Sequence, residues 1–207
     1  MAVLKTIQNK TDELKKQFNR IDPDRKELLI SFAEYISGKL KEDKKINLTF
    51  ICTHNSRRSH ISQIWAQAAA EYFGIKNVKC YSGGTEATAF NTRAVNAMQK
   101  AGFKIEQKDN SDNPVYLVYY SENSEPLKCF SKTYNDLFNP QKDFAAVMTC
   151  SDADENCPVV FGADKRFPIR YEDPKVFDGT NQEEEKYDER VEQIAREMLF
   201  VFSKIKK

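Results

Sequence analysis

From Ile46 onward, apolar runs of strand length alternate with stretches whose apolar residues recur at helical spacing. The run "INLTFIC" (46–52) precedes the helical stretch "SHISQIWAQAAAEYFG", and "NVKCYSGG" precedes "NTRAVNAMQKAGF". Two further strands are predicted at "FAAVMTC" and within "RFPIRYEDP". Strands that alternate with helices favour a parallel sheet, because parallel neighbours need a crossover between them. The pattern predicts an α/β fold with an open parallel four-stranded sheet and flanking helices.

Three segments lie outside this alternation. Residues 1–45 predict two helices, the second opened by Asp22 as N-cap and Pro23 at the first helical position. The segment "NPVYLVYYSENSEPLKCFSK" holds two strand-like runs around a polar turn, which predicts a β-hairpin insert at about 113–133. A long amphipathic helix closes the chain. We therefore expect an N-terminal helical extension (1–45), packed against the sheet edge, and a domain of residues 46–207 that carries the insert.

Composition excludes several classes of protein. The 207 residues include 32 Lys+Arg and 31 Asp+Glu, so no overall basic field points to nucleic acid. The start lacks the apolar core of a signal peptide, and no stretch approaches the roughly 18 apolar residues of a membrane span. The five cysteines are scattered and odd in number, which is typical of thiols in a reducing compartment. The sequence predicts a cytoplasmic protein with neither nucleic acid nor membrane as partner.

Cys52 ends the first predicted strand, and a helix begins near Ser59. In an open α/β sheet, ligands bind beyond the carboxyl ends of the strands. Backbone N–H groups of the intervening loop "THNSRR" can converge there, and the helix adds the positive end of its dipole, so an oxyanion is the expected occupant. Such surroundings also favour a thiolate at Cys52, and Arg58 offers a planar fork for a tetrahedral oxyanion. The alternative is a buried cysteine with exposed arginines nearby. The predicted oxyanion loop comprises Thr53, His54, Asn55, Ser56, Arg57 and Ser59.

At these residues the chain resembles the low-molecular-weight protein tyrosine phosphatase family, whose loop is Cys-x-Gly-Asn-x-Cys-Arg-Ser. Cys52, Asn55, Arg58 and Ser59 match it, and "YSGGTEA" and "EDP" resemble two further segments. The resemblance covers roughly residues 46 to 205 without the insert. It implies Cys52 as nucleophile, Arg58 as the anion-binding arginine and Asp173 as the general acid that protonates the leaving oxygen.

Two loop residues depart from that pattern. His54 stands where the family has glycine, at a position whose backbone needs an unusual dihedral if the loop is kept; histidine tolerates positive φ better than most residues. Arg57 replaces the second cysteine of the loop. Either it adds positive charge to the pocket or it faces solvent, and the sequence leaves both interpretations open.

The segment "CSDADENCP" resembles one branch of the family, the thioredoxin-coupled arsenate reductases. The resemblance implies that Cys150 attacks Cys52 and that Cys157 then resolves the disulfide, in a three-cysteine relay that serves arsenic detoxification. Arsenate is then the substrate, thioredoxin or a similar thiol reductant is the electron donor, and no cofactor is needed. The alternative is that Cys150 belongs to the core and Cys157 is incidental. We assign no role to Cys80 or Cys129.

Distance constrains the pairing of Cys150 with Cys157. A disulfide needs Cα atoms about 4.4–6.8 Å apart, whereas seven residues of intact helix span about 10.5 Å. The intervening "SDADEN" has no large apolar side chain as an anchor. We therefore expect oxidation of the pair to accompany a local rearrangement of this segment at low energetic cost.

No metal site is predicted. The cysteine spacing is not that of a zinc site, and the chain has two histidines. Some members of the resembling branch hold potassium beside the loop. Asn55 and Ser82 match positions associated with that ion, but Gln63 stands where an acidic ligand is expected, which argues against it.

Three functions follow from the sequence. The first is an arsenate reductase that uses the Cys-x5-Arg loop and the relay. The second is a phosphatase for phosphotyrosine or small phosphate esters, which needs Cys52, Arg58 and Asp173 but neither Cys150 nor Cys157. The third is an oxyanion-binding regulatory module without turnover.

Overall fold

The structure, a computed structural model, describes residues 3–156 and 159–206. Among these residues no helix combines the length and apolarity that crossing a membrane requires. The helices and strands, in chain order, are α1 Lys5–Lys15, α2 Pro23–Lys41, β1 Ile46–Cys52, α3 Arg58–Tyr72, β2 Val78–Gly84, α4 Thr92–Lys100, β3 Lys104–Gln107, β4 Tyr116–Tyr119, β5 Leu127–Cys129, β6 Phe144–Met148, α5 Ser151–Asn156, β7 Ala163–Phe167 and α6 Glu183–Ser203.

The central sheet has the strand order β2-β1-β6-β7, and every pair in it is parallel. The predicted α/β fold with a parallel four-stranded sheet is confirmed. The position predicted for the fourth strand, within "RFPIRYEDP", was wrong, since β7 spans Ala163–Phe167. Pro168 lacks the N–H that a further ladder bond needs, which is why the strand stops before it.

A second, antiparallel sheet of order β3-β4-β5 lies beside the first. Its strands β4 and β5 form the predicted hairpin, within 113–133. The third strand, β3, was not predicted, because "KIEQ" has four residues and no strong apolar alternation. The buried face of this sheet packs against the main core through Tyr116, Val118 and Cys129.

The N-terminal helices share the main hydrophobic core with the sheet. Phe32 of α2 packs against Phe167 of the edge strand β7, with ring centroids 4.8 Å apart, and Tyr35 contacts the same ring at 5.6 Å. Farther along the interface, Arg25 donates to the buried carboxylate of Glu197 on α6, at 2.8 and 3.0 Å. Apolar burial and a buried ion pair therefore both join the extension to the rest of the chain.

This packing predicts that the extension contributes to global stability. Phe32→Ala should lower the free energy of unfolding by about 3–5 kcal/mol, because it leaves a cavity beside Phe167. Urea unfolding followed by circular dichroism measures this, and Ile30→Ala, on the exposed side of α2, should change it by less than about 0.5 kcal/mol. If Phe32→Ala behaved like Ile30→Ala, the extension would fold independently of the sheet.

Candidate active site

Cys52 is buried at the carboxyl end of β1, and α3 begins six residues later at Arg58. Its Sγ lies 3.1 Å from the hydroxyl of Ser59, in the first turn of that helix. Gly84, paired with Cys52 at the end of β2, allows the loop to lie close: a Cβ there would come within 2.5 Å of the Thr53 carbonyl and 2.7 Å of the Asn55 nitrogen. The loop therefore closes tightly around the thiol.

The carbonyl groups of the loop are held from outside. The carbonyl of Cys52 accepts from the backbone of Thr85 at 3.1 Å, and that of Thr53 accepts from Glu86 at 2.8 Å. The His54 carbonyl accepts from the hydroxyl of Ser131 at 2.9 Å. In contrast, no backbone N–H from 54 to 58 donates to another described residue. Carbonyls that are secured outward leave the N–H groups available to bind an anion from the inner side.

Asn55 has the only positive φ in the loop, +44°. Asparagine tolerates this left-handed conformation. Its side chain donates to the Ser59 hydroxyl at 2.9 Å and accepts from the backbone N–H of Lys132 at 3.0 Å. His54 does not have a positive φ, so the histidine that stands where the resembling family has glycine causes no backbone strain.

Arg58 faces Asp173 across the site. Its guanidinium donates to the Asp173 carboxylate at 2.7 Å and to the carbonyl of Tyr171 at 3.0 Å. The Nε of Arg58 is buried and has no partner within the described residues. The structure thus brings the predicted anion-binding arginine and the predicted general acid into direct contact.

Arg57 does not face solvent, which resolves the question that the sequence left open. Its side chain is 11% exposed, and it donates to the hydroxyl of Tyr187 at 2.7 Å and to the carboxylate of Asp178 at 3.3 Å. Tyr187 in turn donates to Asp178 at 2.8 Å. Because Arg58 holds Asp173, the two consecutive arginines bind both ends of the segment 173–178.

Cys150 lies beside Cys52. The parallel register pairs Ile51 with Met148, and the N–H of Thr149 donates to the Ile51 carbonyl at 2.7 Å. Continuing this register sets Cys52 opposite Thr149, one residue from Cys150 on a strand about 4.8 Å away. Both cysteines are free thiols in one hydrophobic cluster, and the Thr53 hydroxyl lies 3.5 Å from Cys150 Sγ.

The segment after Cys150 is anchored, contrary to our expectation. It forms the short helix α5, and Asp154 is buried there with ion pairs to Arg166 and Arg170. The missing apolar anchor is replaced by an electrostatic one, so rearranging this segment requires the buried Asp154 carboxylate to lose two ion pairs with partly exposed arginines. Cys157 lies outside the described residues, and its pairing with Cys150 stays a prediction.

A cavity of about 460 Å³ opens beside the loop. The loop residues His54, Ser56 and Arg57 form one wall, residues 88–92 form another, and Lys175 completes it. Among the described residues no carboxylate lines this cavity, which favours an anionic ligand.

The residues at the potassium position are engaged with their neighbours. The Ser82 hydroxyl is 3.1 Å from Nδ1 of the buried His60, and the Gln63 amide donates to the Cys80 carbonyl at 3.1 Å. The oxygen of Asn55 accepts from the Lys132 backbone. Burial, together with the positive charge of Lys132, lowers the pKa of His60 well below its usual value. A neutral imidazole beside a lysine adds no negative charge at this position, and the absence of potassium stays a prediction. Among the described residues no cluster of three His, Cys, Asp or Glu side chains suits another metal.

Several residues that support the loop are far from it in the sequence and were not predicted. Tyr187 and Asp178 were not associated with Arg57, and Ser131 and Lys132 at the end of the insert were not expected behind the loop. Each contact spans 77 residues or more, so no local spacing reveals it.

The chain is similar to known proteins over most of its length. The sequence profile of the family "Low molecular weight phosphotyrosine protein phosphatase" matches residues 47–113. An arsenate reductase of Bacillus subtilis is 30% identical over 142 residues, which cover 69% of this chain and 84% of the relative. Arsenate reductase 1 of Staphylococcus saprophyticus is 32% identical over 132 residues, which cover 64% and 80%.

Solved structures agree on the fold. The low-molecular-weight protein tyrosine phosphatase of T. tengcongensis aligns with a TM-score of 0.52 at 19% identity, covering 77% of this chain and 99% of that one. A low-molecular-weight phosphotyrosine phosphatase of Vibrio cholerae gives 0.51 at 13% identity, covering 76% and 94%. The chain belongs to the low-molecular-weight protein tyrosine phosphatase superfamily, which here includes arsenate reductases. It is an enzyme of that superfamily.

The buried His60 predicts a pH-dependent stability. Its folded pKa is lowered, so near and below 6.5 the unfolded chain binds a proton that the folded chain does not. The free energy of unfolding should therefore fall as pH drops below 6.5, by about 1.4 kcal/mol per pH unit from this residue. Urea unfolding between pH 5 and 7.5 should show that His60→Asn loses this part of the slope, whereas His54→Asn, at the exposed histidine, keeps it. Equal slopes in both variants would contradict the buried neutral imidazole.

The contacts of Arg57 predict that it stabilises segment 173–178. Arg57→Ala removes charge-assisted hydrogen bonds worth about 1.5–3 kcal/mol, so amides in 175–180 should exchange roughly tenfold faster or more. Hydrogen exchange with mass spectrometry measures this, and Lys128→Ala, an exposed substitution on β5, is the control. Exchange that matched the control would show that the segment is held without Arg57.

Proposed function

We propose that this enzyme is an arsenate reductase that uses a relay of three cysteines. The observation that carries the proposal is the position of Cys150, a second free thiol one residue away from Cys52 across adjacent strand ends. Hydrolysis of a phosphoester needs one nucleophilic cysteine. A reduction needs two electrons, and two thiols that become one disulfide supply them. The relatives named arsenate reductase support arsenate as the substrate.

In the first step, arsenate sits against the N–H groups of the loop, with its charge balanced by Arg58 and by the N-terminal end of α3. The thiolate of Cys52 attacks arsenic and forms an S–As bond. One oxygen leaves as water after it is protonated, and Asp173 is the proposed proton donor. Asp173 first has to leave its ion pair with Arg58. This pair breaks when the Arg58 guanidinium turns to bind the oxyanion.

In the second step, the thiolate of Cys150 attacks Cys52 Sγ and the S–As bond breaks. Its electron pair stays on arsenic, which leaves as arsenite, and a Cys52–Cys150 disulfide remains. Cys157 then attacks Cys150 and releases the Cys52 thiolate. Thioredoxin or a similar thiol reductant finally reduces the Cys150–Cys157 disulfide. The net reaction converts arsenate and two thiols into arsenite, one disulfide and water.

Phosphoester hydrolysis is the second candidate. The cavity of about 460 Å³ that borders the loop at His54, Ser56 and Arg57 is larger than a single oxyanion needs, so it offers room next to the loop for an organic leaving group. Such a reaction uses Cys52, Arg58 and Asp173 alone.

Turnover by serine variants distinguishes the candidates. With arsenate, thioredoxin and thioredoxin reductase, we expect Cys52→Ser, Cys150→Ser and Cys157→Ser each to lower the rate at least about a thousandfold, because each removes an obligatory thiolate. With p-nitrophenyl phosphate, Cys150→Ser should retain any hydrolysis that the wild type shows. Consumption of NADPH and release of p-nitrophenol measure the two reactions.

Cys80→Ala is the matched control, since Cys80 is a buried thiol in β2 without an assigned role, and it should keep both rates. Full thioredoxin-dependent arsenate reduction in Cys150→Ser would refute the relay. Hydrolysis without arsenate reduction in the wild type would establish the phosphatase. An inactive wild type that still binds phosphate would favour the binding module.

A further inference from the structure

A second cavity, of about 540 Å³, lies between the N-terminal extension and α6. Its residues come from the turn before α2, from α6 and from the chain at Arg170–Glu172. It shares no lining residue with the cavity beside the loop; it meets the thiol loop through Arg58 and reaches the segment after Cys150 through Ser151. We call it the basic cleft, because six arginines line it: Arg20, Arg25, Arg58, Arg170, Arg190 and Arg196.

Three of these arginines are neutralised by neighbouring carboxylates. Arg25 pairs with Glu197, Arg58 pairs with Asp173, and Arg170 pairs with Asp154 and, at 3.7 Å, with Glu155. Among the described residues, these ion pairs give three of the six arginines a structural role.

The other three, Arg20, Arg190 and Arg196, make no ion pair with a described residue. The Nε groups of Arg190 and Arg196 are buried and have no hydrogen-bond partner among the described residues. Burial lowers the pKa of Arg190, and the positive charge of Arg58 acts in the same direction, while the acidic neighbours Glu189 and Glu172 oppose it. Several positive charges therefore lie close together in one cleft, and their repulsion destabilises the protein when no anion is bound.

The remaining acids of the lining offset this charge incompletely. Asp22 caps the N-terminus of α2 by accepting from the Asp24 backbone, and Glu172 is exposed. Glu197 already pairs with Arg25, so Asp22 and Glu172 are the lining acids that remain for Arg20, Arg190 and Arg196, which leaves one guanidinium group in excess. Uncompensated, partly buried charge is typical of binding sites and is uncommon where a side chain serves stability alone.

We propose that the basic cleft binds a phosphorylated small molecule, separately from the oxyanion that the Cys52 loop takes. Guanidinium groups bind phosphate through paired N–H donors, and arginine is the residue used most where such geometry matters. The cleft volume falls in the range of about 300–1,000 Å³ that small-molecule sites occupy, well above the need of one inorganic ion. Because the cleft joins the extension to Arg58, its occupant contacts the far side of the residue that grips the oxyanion.

Inorganic pyrophosphate is a suitable probe, and isothermal titration calorimetry counts its sites. The wild type should show two, one at the loop and one at the cleft. The double variant Arg190→Gln/Arg196→Gln should lose the cleft site or weaken it at least tenfold, with the loop site unchanged. Lys104→Gln/Lys108→Gln removes the same charge on and beside β3 and should stay within twofold of the wild type.

Thermal unfolding tests the same claim independently. Without pyrophosphate, the double variant should melt at or above the wild-type temperature, because it removes uncompensated charge. With pyrophosphate, the wild type should gain more in melting temperature than the double variant does. A single site in the wild type, or equal affinities in the wild type and the arginine double variant, would overturn the proposal. None of these readouts requires turnover, so a failure of the proposed arsenate chemistry leaves them interpretable.

Discussion

The parallel pairing of β1 with β6 is the constraint on which the site depends. It aligns the carboxyl ends of two strands, so the chain leaves the sheet twice at the same edge, once at Cys52 and once at Cys150. The hydrogen bond from Thr149 to the Ile51 carbonyl continues that alignment beyond the regular ladder. Two thiols separated by 97 intervening residues thereby become neighbours.

Charge organises what surrounds the two thiols. Arg57 and Arg58 bind Asp178 and Asp173, so the segment that carries the proposed acid is held at both ends by the loop that carries the nucleophile. Asp154 anchors α5 through two further arginines. The ion pairs of Asp173 and Asp154 have to break during the proposed relay, which ties the catalytic cycle to ionic rather than apolar packing.

The sequence predicts the elements better than the contacts among them. The strand and helix periods give the parallel sheet, and Asp22 before Pro23 gives the start of α2, because these signals are local. The loop around Cys52 could be predicted from the sequence for the same reason. The partners of Arg57 and the anchor of α5 are not, since they depend on residues that only the folded chain brings together. A polar segment such as "SDADEN" looks unconstrained until its charged partners are known.

The central claim is that Cys150 attacks Cys52, so that the two thiols together supply two electrons to arsenic, and trapping the resulting disulfide tests it most directly. The Cys157→Ser variant should lose the mass of two hydrogens after treatment with arsenate, relative to the untreated variant. After the remaining thiols are alkylated, its digest should contain a peptide that joins Cys52 to Cys150. Full alkylation of both cysteines, with no mass loss after arsenate, would contradict the account.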